Sequence, residues 1–176
     1  TEGPREVQLA KDAPLHQGPM PLTRQNLLTL AFARLGDPYG WGGYRGGRDC
    51  SRLLMDVFSV FGVRLGRHSL VQAEAGVKTI DLSAMTPPQK ARALQDAVTS
   101  GIALVYMPGH IMLHLGEVNG RPYALSSISE FLTPCAGDDQ VVRLDRVSVS
   151  DYALGRGTER RSFIERITTL TLFGGP

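Results

Sequence analysis

The hydrophobic pattern changes its period partway along the chain, and this change constrains the fold more than any other feature. Up to about residue 98 the apolar residues recur at helical spacing, whereas the later part contains short apolar and alternating runs typical of β-strands. Helices followed by strands that tight turns connect predict an α+β fold, with helices packed on an antiparallel sheet. The length of 176 residues fits one domain, which we place at residues 22–176.

Four helices are predicted in the first part. The first is capped by Thr23 and ended by Gly36, and its apolar face contains Leu27, Leu28, Ala31 and Leu35. The second is capped by Asp49 and ended by Gly62, and its apolar face contains Leu53, Leu54, Val57, Phe58 and Phe61. Shorter patterns predict two more helices, at residues 69–76 and 87–98.

The later part of the chain predicts a sheet. The dipeptide Asn119-Gly120 is typical of a type I′ hairpin turn and joins a strand at 111–118 to a strand at 122–126. Three further strands are predicted at residues 102–107, 141–144 and 167–172. Residues 1–21 contain four prolines and little periodicity, which predicts a leader, a linker or the remnant of an upstream module.

Composition excludes several classes of protein. A net charge of +2 and a pI near 8.7 are too mild for a nucleic-acid ligand, which needs clustered Lys and Arg. No apolar run approaches the roughly 18 residues that cross a bilayer, and no secretory signal is visible. The two cysteines are too few for a disulfide framework. With no phosphate loop and no metal-binding motif, the sequence implies no cofactor.

Cys50 occupies the first position of the second predicted helix, directly after a glycine-rich loop. Unpaired N–H groups and the positive end of the helix dipole stabilise a thiolate there, and the same N–H groups could hold an oxyanion. An isolated cysteine beside an apolar face can equally be a small core residue. The preceding Tyr39 and Trp41 indicate either a substrate cleft, in which the Tyr39 hydroxyl polarises a carbonyl, or a packed aromatic corner.

A nucleophilic cysteine needs a base, and the strand after Gly109 carries two histidines. Strand periodicity places His110 and His114 on one face, about 13 Å apart, which is too far for both to bind one zinc ion. A histidine at a strand start can meet a thiolate at a helix start, as in Cys–His nucleophilic catalysis. The alternative is that either histidine is a solvated or hydrogen-bonded strand residue.

Three spaced motifs surround these residues. They are Tyr39-Gly40-Trp41-Gly42-Gly43, Arg48-Asp49-Cys50-Ser51 and Pro108-Gly109-His110-Ile111-Met112-Leu113. In this order they resemble the NlpC-type family of cell-wall cysteine peptidases, over about residues 22–173. The segment Arg67-His68-Ser69 with Gln72 resembles the members that carry bacterial Src-homology-like β-barrels upstream, which usually have Asn at the position of His68.

The resemblance implies a papain-like fold and amide hydrolysis through an acyl-enzyme thioester. Cys50 would attack the carbonyl, His110 would take the thiol proton, and the Tyr39 hydroxyl with the N–H of Cys50 or Ser51 would hold the oxyanion. The implied substrate is a peptidoglycan stem peptide, commonly cut between γ-D-glutamate and the diamino acid. Asp49 and Ser51 would help receive its free amine, and Trp41 and Arg67 complete the expected substrate residues.

One position departs from the family pattern. The family often orients the catalytic histidine with another histidine on the next strand, where this chain has Ser126, or Ser127 if the register slips by one. Glu130 is a further candidate. A hydroxyl can accept an imidazole N–H but cannot stabilise an imidazolium as a charged group would. An amidase, deamidase or acyltransferase, or a weakly active wall-binding domain, therefore remain alternatives.

The remaining expectations concern partners, location and two loops. We expect a monomer that acts on peptidoglycan outside the cytoplasm, in the periplasm or at the cell surface, or as a toxin delivered into another bacterium. The loop Arg156–Arg161 is typical of a solvated turn, and the alternative is a contact to an anionic polymer such as peptidoglycan. Cys135 is expected to be a free loop thiol, with an inhibitory disulfide to Cys50 as the alternative.

Overall fold

The computed structural model describes residues 17–174, so most of the predicted leader at 1–21 lies outside the described residues. The α-helices are α1 Arg24–Phe32, α2 Cys50–Ser59, α3 Ser69–Ala73, α4 Pro87–Thr99 and α5 Phe163–Arg166. The strands are β1 Lys78–Asp81, β2 Ile102–Met107, β3 His110–Val118, β4 Arg121–Thr133, β5 Gln140–Asp151 and β6 Thr169–Phe173. A series of turns at Trp41–Gly46, in which Gly42, Gly43 and Arg45 have left-handed φ values, precedes α2.

The six strands form one antiparallel sheet in the order β1-β6-β2-β3-β4-β5. The β3–β4 hairpin turns at the predicted dipeptide, where Asn119 and Gly120 have φ values of 52° and 74°. Those left-handed values are what a type I′ turn requires. With helices packed on both faces of this sheet, the predicted α+β class is confirmed.

Helix α2 is fixed to one face of the sheet by its apolar side. Its N-cap Asp49 accepts the Arg52 N–H at 2.8 Å, as the sequence predicts. The five predicted core residues of this helix and its end are all buried, and they pack with Ile111, Leu113 and Leu125 of the sheet. Burying such side chains contributes about 1.5–3 kcal/mol each, so the start of α2 is held firmly beside β3.

The opposite face of the sheet is covered by α4 and α5. The sequence does not predict α5, which is a single helical turn. Phe163 of α5 and Leu94 of α4 are buried against Met112 of β3. The buried Lys90 donates to two backbone carbonyls at the end of α5, those of Glu165 at 2.9 Å and Ile167 at 2.7 Å. These hydrogen bonds join α4 to α5 and satisfy an ammonium that would otherwise be buried alone.

Several predicted boundaries are wrong. Helix α1 ends at Phe32 rather than near Gly36, so Leu35 lies outside the helix and is exposed. The predicted strands at 122–126 and 141–144 are only the first parts of β4 and β5, which pair over ten residues with a bulge between Ile128 and Glu130. The later parts of both strands contain polar residues, because part of the surface of the long hairpin is exposed, and the apolar pattern therefore ends before the strands do. None of the helices within residues 17–174 is long and apolar enough to cross a membrane.

His114 is a buried, hydrogen-bonded strand residue. Its Nε2 lies 3.0 Å from the Leu94 carbonyl oxygen and its Nδ1 lies 3.1 Å from the Tyr152 hydroxyl. Since a carbonyl only accepts, Nε2 carries the proton and Nδ1 accepts from Tyr152, which satisfies a neutral ring. Burial lowers the pKa of His114 to about 4, and nearby Arg24 acts in the same direction.

We expect this histidine to make stability depend on pH between about 6.5 and 4. The pKa of His114 is about 4 in the folded state and close to 6.5 when unfolded, so the unfolded chain binds the proton first. Its contribution is complete above pH 6.5 and is lost as the pH falls towards 4, a loss of roughly 3 kcal/mol. Urea unfolding of the wild type and His114→Gln at several pH values measures it.

The variant should show a smaller decline than the wild type. His68→Gln is the matched control, because His68 is exposed and should leave the full decline in place. An equal pH dependence in wild type and His114→Gln would show that the buried ring is not the source.

Candidate active site

A cleft of about 540 Å³ opens where the start of α2 meets the β2–β3 turn. It brings together seven of the eight predicted site residues: Tyr39, Trp41, Asp49, Cys50, Ser51, Arg67 and His110. The eighth, Ser126, is buried behind His110. The exposed His68 also lines the cleft.

Cys50 is the first residue of α2, and only 9% of it is exposed. Burial raises the pKa of its thiol, and the negative charge of Asp49 acts in the same direction. The backbone N–H groups of Ile111, Ser51 and Cys50 itself lower that pKa. The helix start therefore acts on the sulfur as the sequence predicts, but burial outweighs it, and the resting side chain is the thiol.

His110 begins β3, and its ring is half-buried at the cleft wall. Its Nε2 lies 3.0 Å from the Ser126 hydroxyl oxygen, and its ring centroid lies 5.8 Å from that of Phe163. Burial lowers the pKa of His110 to about 4, with a smaller contribution from the positive charge of Arg166. The imidazole is therefore neutral at pH 7 and has a lone pair that can accept a proton.

Cys50 and His110 both line the cleft. Among the described residues, no hydrogen bond joins the Cys50 thiol to the His110 ring. Catalytic hydrogen bonds often shorten only when substrate binds. In the tautomer whose Nε2–H donates a hydrogen bond to the Ser126 hydroxyl, Nδ1 is the nitrogen that can accept the thiol proton.

Strand register decides which serine meets the imidazole. Leu113 of β3 pairs with Leu125 of β4, so Ser126 falls on the same sheet face as His110. The neighbouring Ser127 points elsewhere, and its hydroxyl donates to the Arg48 carbonyl oxygen at 2.6 Å. Ser127 thus ties β4 to the loop before α2. Glu130, the third candidate, forms ion pairs with two arginines of the cleft wall and the hairpin.

The Asp49 carboxylate is a second centre of the site. It accepts hydrogen bonds from the N–H groups of Gly42 and Arg52, from the Ser51 hydroxyl and from the Arg67 guanidinium. Burial alone would raise the pKa of this carboxyl, but these donors, with Arg67 foremost, hold it below its usual value. An amine that binds Asp49 would share it with Arg67.

Tyr39 and Trp41 occupy very different environments on the loop before α2. Trp41 is 78% exposed at the edge of the cleft, so the alternative of a packed aromatic corner is wrong. Burial raises the pKa of the half-buried Tyr39, and the nearby Cys50 and Asp49 add to this. Its hydroxyl therefore keeps its proton at neutral pH and can donate to an oxyanion.

Part of the cleft wall was not found from the sequence. Phe163 and Arg166 of α5, with Arg160 from the preceding loop, line the side of the cleft near His110. The capping box formed by Ser162 and Glu165 is the sequence signal that could have found this helix. Arg156, Arg160 and Arg161 are exposed as a solvated turn predicts, yet Arg160 reaches the cleft.

Both cysteines are free in the structure. Cys50 is buried at the cleft, whereas Cys135 is exposed in the turn between β4 and β5. The expectation of a free loop thiol at Cys135 is therefore met, and a disulfide to Cys50 is not formed.

A cysteine at a helix start, packed against an antiparallel sheet that carries a histidine, is the architecture of the papain-like cysteine peptidases. Residues 36–119 match the model of the NlpC/P60 family, which is just under half of the chain. Cys50 and His110 lie inside the matched residues, and Ser126 and the helix α5 lie outside them.

Two mycobacterial proteins resemble part of this chain. "Probable endopeptidase Rv2190c" of Mycobacterium tuberculosis is 34% identical over 92 residues, which are 52% of this chain and 23% of that protein. "Probable endopeptidase Mb2213c" of Mycobacterium bovis matches with the same identity and coverage. The chain thus spans less than a quarter of the length of these relatives.

Solved structures show the same fold. An NlpC/P60 endopeptidase from Photobacterium damselae subsp. piscicida matches 86% of this chain with a TM-score of 0.70 and 21% identity, over 39% of its own length. An NlpC/P60 family protein from Bacillus cereus matches 88% of this chain with a TM-score of 0.55 and 15% identity, over 41% of its own length.

The Asp49–Arg67 pair should contribute measurably to stability. Replacing Arg67 with Met keeps the aliphatic stem but leaves a buried carboxylate without its cation. Because Arg67 is itself partly exposed, we expect a loss of about 1–3 kcal/mol in the free energy of unfolding, below the cost of breaking a fully buried pair. Urea unfolding at neutral pH measures the loss.

Arg52→Met is the matched control, because Arg52 pairs with Asp56 on the exposed side of α2. It should cost less than about 0.5 kcal/mol. Similar small losses in both variants would mean that water screens the Asp49–Arg67 pair as it does a surface pair.

Proposed function

We propose that this chain is a cysteine endopeptidase domain that cuts peptidoglycan stem peptides through an acyl-enzyme. The observation that carries the proposal is the position of Cys50 and the neutral His110 in one cleft, with the ring of His110 held by Ser126. The NlpC/P60 match and the endopeptidase names of two relatives support the reaction type.

The first half of the reaction forms a thioester. His110 Nδ1 takes the thiol proton as the Cys50 sulfur attacks the peptide carbonyl carbon. The carbonyl oxygen becomes an oxyanion, which the Tyr39 hydroxyl and the N–H of Cys50 or Ser51 stabilise. When this intermediate collapses, the C–N bond breaks, and the imidazolium returns its proton to the leaving amine.

The second half releases the acyl group. His110 accepts a proton from water as the water oxygen attacks the thioester carbon. The C–S bond then breaks, the imidazolium returns the proton to the Cys50 sulfur, and the carboxylic acid leaves. A neutral resting pair suits this cycle, because no buried ion pair has to be maintained between turnovers. Ser126 keeps the ring orientation fixed by accepting a hydrogen bond from the Nε2–H throughout.

The finer features of the proposal rest on the resemblance. We propose cleavage between γ-D-glutamate and the diamino acid, action outside the cytoplasm as a monomer, and membership of the subgroup with upstream Src-homology-like β-barrels. The segment Arg67-His68-Ser69 with Gln72 supports the subgroup. Gln72 is buried and donates to the Ser51 and Gly66 carbonyls, which fixes this segment against the start of α2.

Digestion of purified peptidoglycan tests the function. The wild type should release stem-peptide fragments under reducing conditions, and mass spectrometry of the fragments identifies the cleaved bond. Cys50→Ala should release none, because it lacks the nucleophile. Cys135→Ala, which removes the other free thiol, should digest like the wild type. If the wild type releases nothing, the peptidase proposal is wrong, and binding to intact wall becomes the next measurement.

Ser126→Ala should lower kcat roughly tenfold with little change in KM, because the imidazole loses the partner that fixes its orientation. Ser148→Ala is the matched control, since Ser148 pairs with Ser126 across the sheet and its buried hydroxyl has no hydrogen-bond partner. Steady-state rates on a synthetic stem peptide measure both variants. Equal rates for Ser126→Ala and the wild type would remove Ser126 from the mechanism.

A further inference from the structure

We infer that Arg166 binds a carboxylate of the peptide in the cleft, with Arg160 beside it. The inference rests on the proposed function for the class of ligand, a wall peptide. It assigns a specificity role to a residue outside the segment that matches the NlpC/P60 family.

Arg166 lines the cleft without an anionic partner. Within residues 17–174 its guanidinium forms neither an ion pair nor a hydrogen bond, although the side chain is half-buried. It lies over the ring of Phe163, 5.9 Å from the ring centroid. The other two arginines that line the cleft have carboxylate partners: Arg67 with Asp49 and Arg160 with Glu130.

The charges around Arg166 increase its need for an anion. Burial lowers the pKa of Arg166, and the neighbouring positive charges of Arg160 and Arg161 act in the same direction. Glu130, the carboxylate of this wall, is already shared by Arg160 at 3.1 Å and Arg143 at 3.5 Å. On the opposite wall Asp49 and Arg67 neutralise each other. The unbalanced charge of the cleft is therefore positive and lies near His110.

The guanidinium is presented by a rigid element. A capping box closes the start of α5, and Lys90 holds the carbonyls of Glu165 and Ile167 at its end. Phe163, one turn earlier, is only 5% exposed and packs against His110. A planar guanidinium that is already positioned can bind a carboxylate with two parallel hydrogen bonds and little loss of entropy.

A cation in this position also fits the chemistry of the proposed ligand. Stem peptides carry free carboxylates close to their amide bonds, and a fixed cation beside the catalytic groups distinguishes an acid from its primary amide. A carboxylate bound at Arg166 satisfies the unpaired guanidinium, whereas the amide leaves it without an anion.

Binding to an inactive variant tests the inference without turnover. Two synthetic stem peptides of the same sequence are compared, one with free carboxylates and one with those carboxylates converted to primary amides. In Cys50→Ala the acid peptide should bind roughly tenfold more tightly than the amide peptide, as measured by isothermal titration. In Cys50→Ala with Arg166→Gln the two peptides should bind equally.

Two further variants separate recognition from structure. Arg166→Lys keeps the charge but loses the planar fork, so it should retain only part of the preference for the acid. Arg161→Gln removes a neighbouring exposed cation that does not line the cleft, and it should keep the full preference. Thermal unfolding of each variant verifies that the fold is intact.

The titrations are made at about pH 7.5, because loss of Arg166 removes a charge that lowers the pKa of His110. The imidazole stays neutral at that pH in every variant. Equal affinity of Cys50→Ala for both peptides, equal loss of preference in Arg161→Gln, or no binding of either peptide at millimolar concentration overturns the inference. A wild type that binds acid peptides selectively but cuts none refutes the proposed function alone.

Discussion

The Asp49 carboxylate accepts hydrogen bonds from a loop, a helix start and a side chain 18 residues away, and the geometry of the cleft depends on these bonds. A buried carboxylate is stable only when its oxygens are fully satisfied, so the donors cannot move independently. The Gly42 N–H brings the glycine-rich loop to the helix, and Arg67 brings the segment before α3. Capping by Asp49 thus orders the loop that carries Trp41 and the helix that begins with Cys50.

Burial shifts the pKa values of the two proposed catalytic groups in opposite directions, and both shifts favour the neutral form. It raises the pKa of the Cys50 thiol and lowers that of the His110 imidazole to about 4, so both groups are neutral at rest. A thiolate–imidazolium pair would have to offset its desolvation in a closed cleft. The arrangement instead favours proton transfer during attack, when the oxyanion and the bound peptide supply new interactions. The hydroxyl of Ser126 is a sufficient partner for a ring that is neutral between turnovers.

The sequence predicts those parts of the site that local signals define. Asp49 followed by a helical apolar face places Cys50 at a helix start, and Asn119-Gly120 gives the hairpin that sets β3 beside β4. It leaves Ser126 and Ser127 open, because a shift of one residue exchanges the two sheet faces and only the pairing of Leu113 with Leu125 decides. The sequence overestimates the length of α1, because Leu35 of the last predicted turn lies outside the helix and is exposed. A four-residue helix such as α5 is too short to show a hydrophobic period.

The part of the cleft wall that the sequence misses also lies outside the residues that match the family model. Cys50 is positioned by a helix start and His110 by a strand start, and both features have strong local sequence signals. Both residues lie within the matched residues 36–119. The wall that carries Arg160 and Arg166 lies beyond them, and only tertiary packing through Lys90 and Phe163 brings it to the cleft. Bond breaking needs the same few atoms whatever the substrate, whereas recognition depends on which charges surround them. In this chain two of those charges, Arg160 and Arg166, belong to a wall that is placed by packing, so they can change while the Cys–His geometry stays intact.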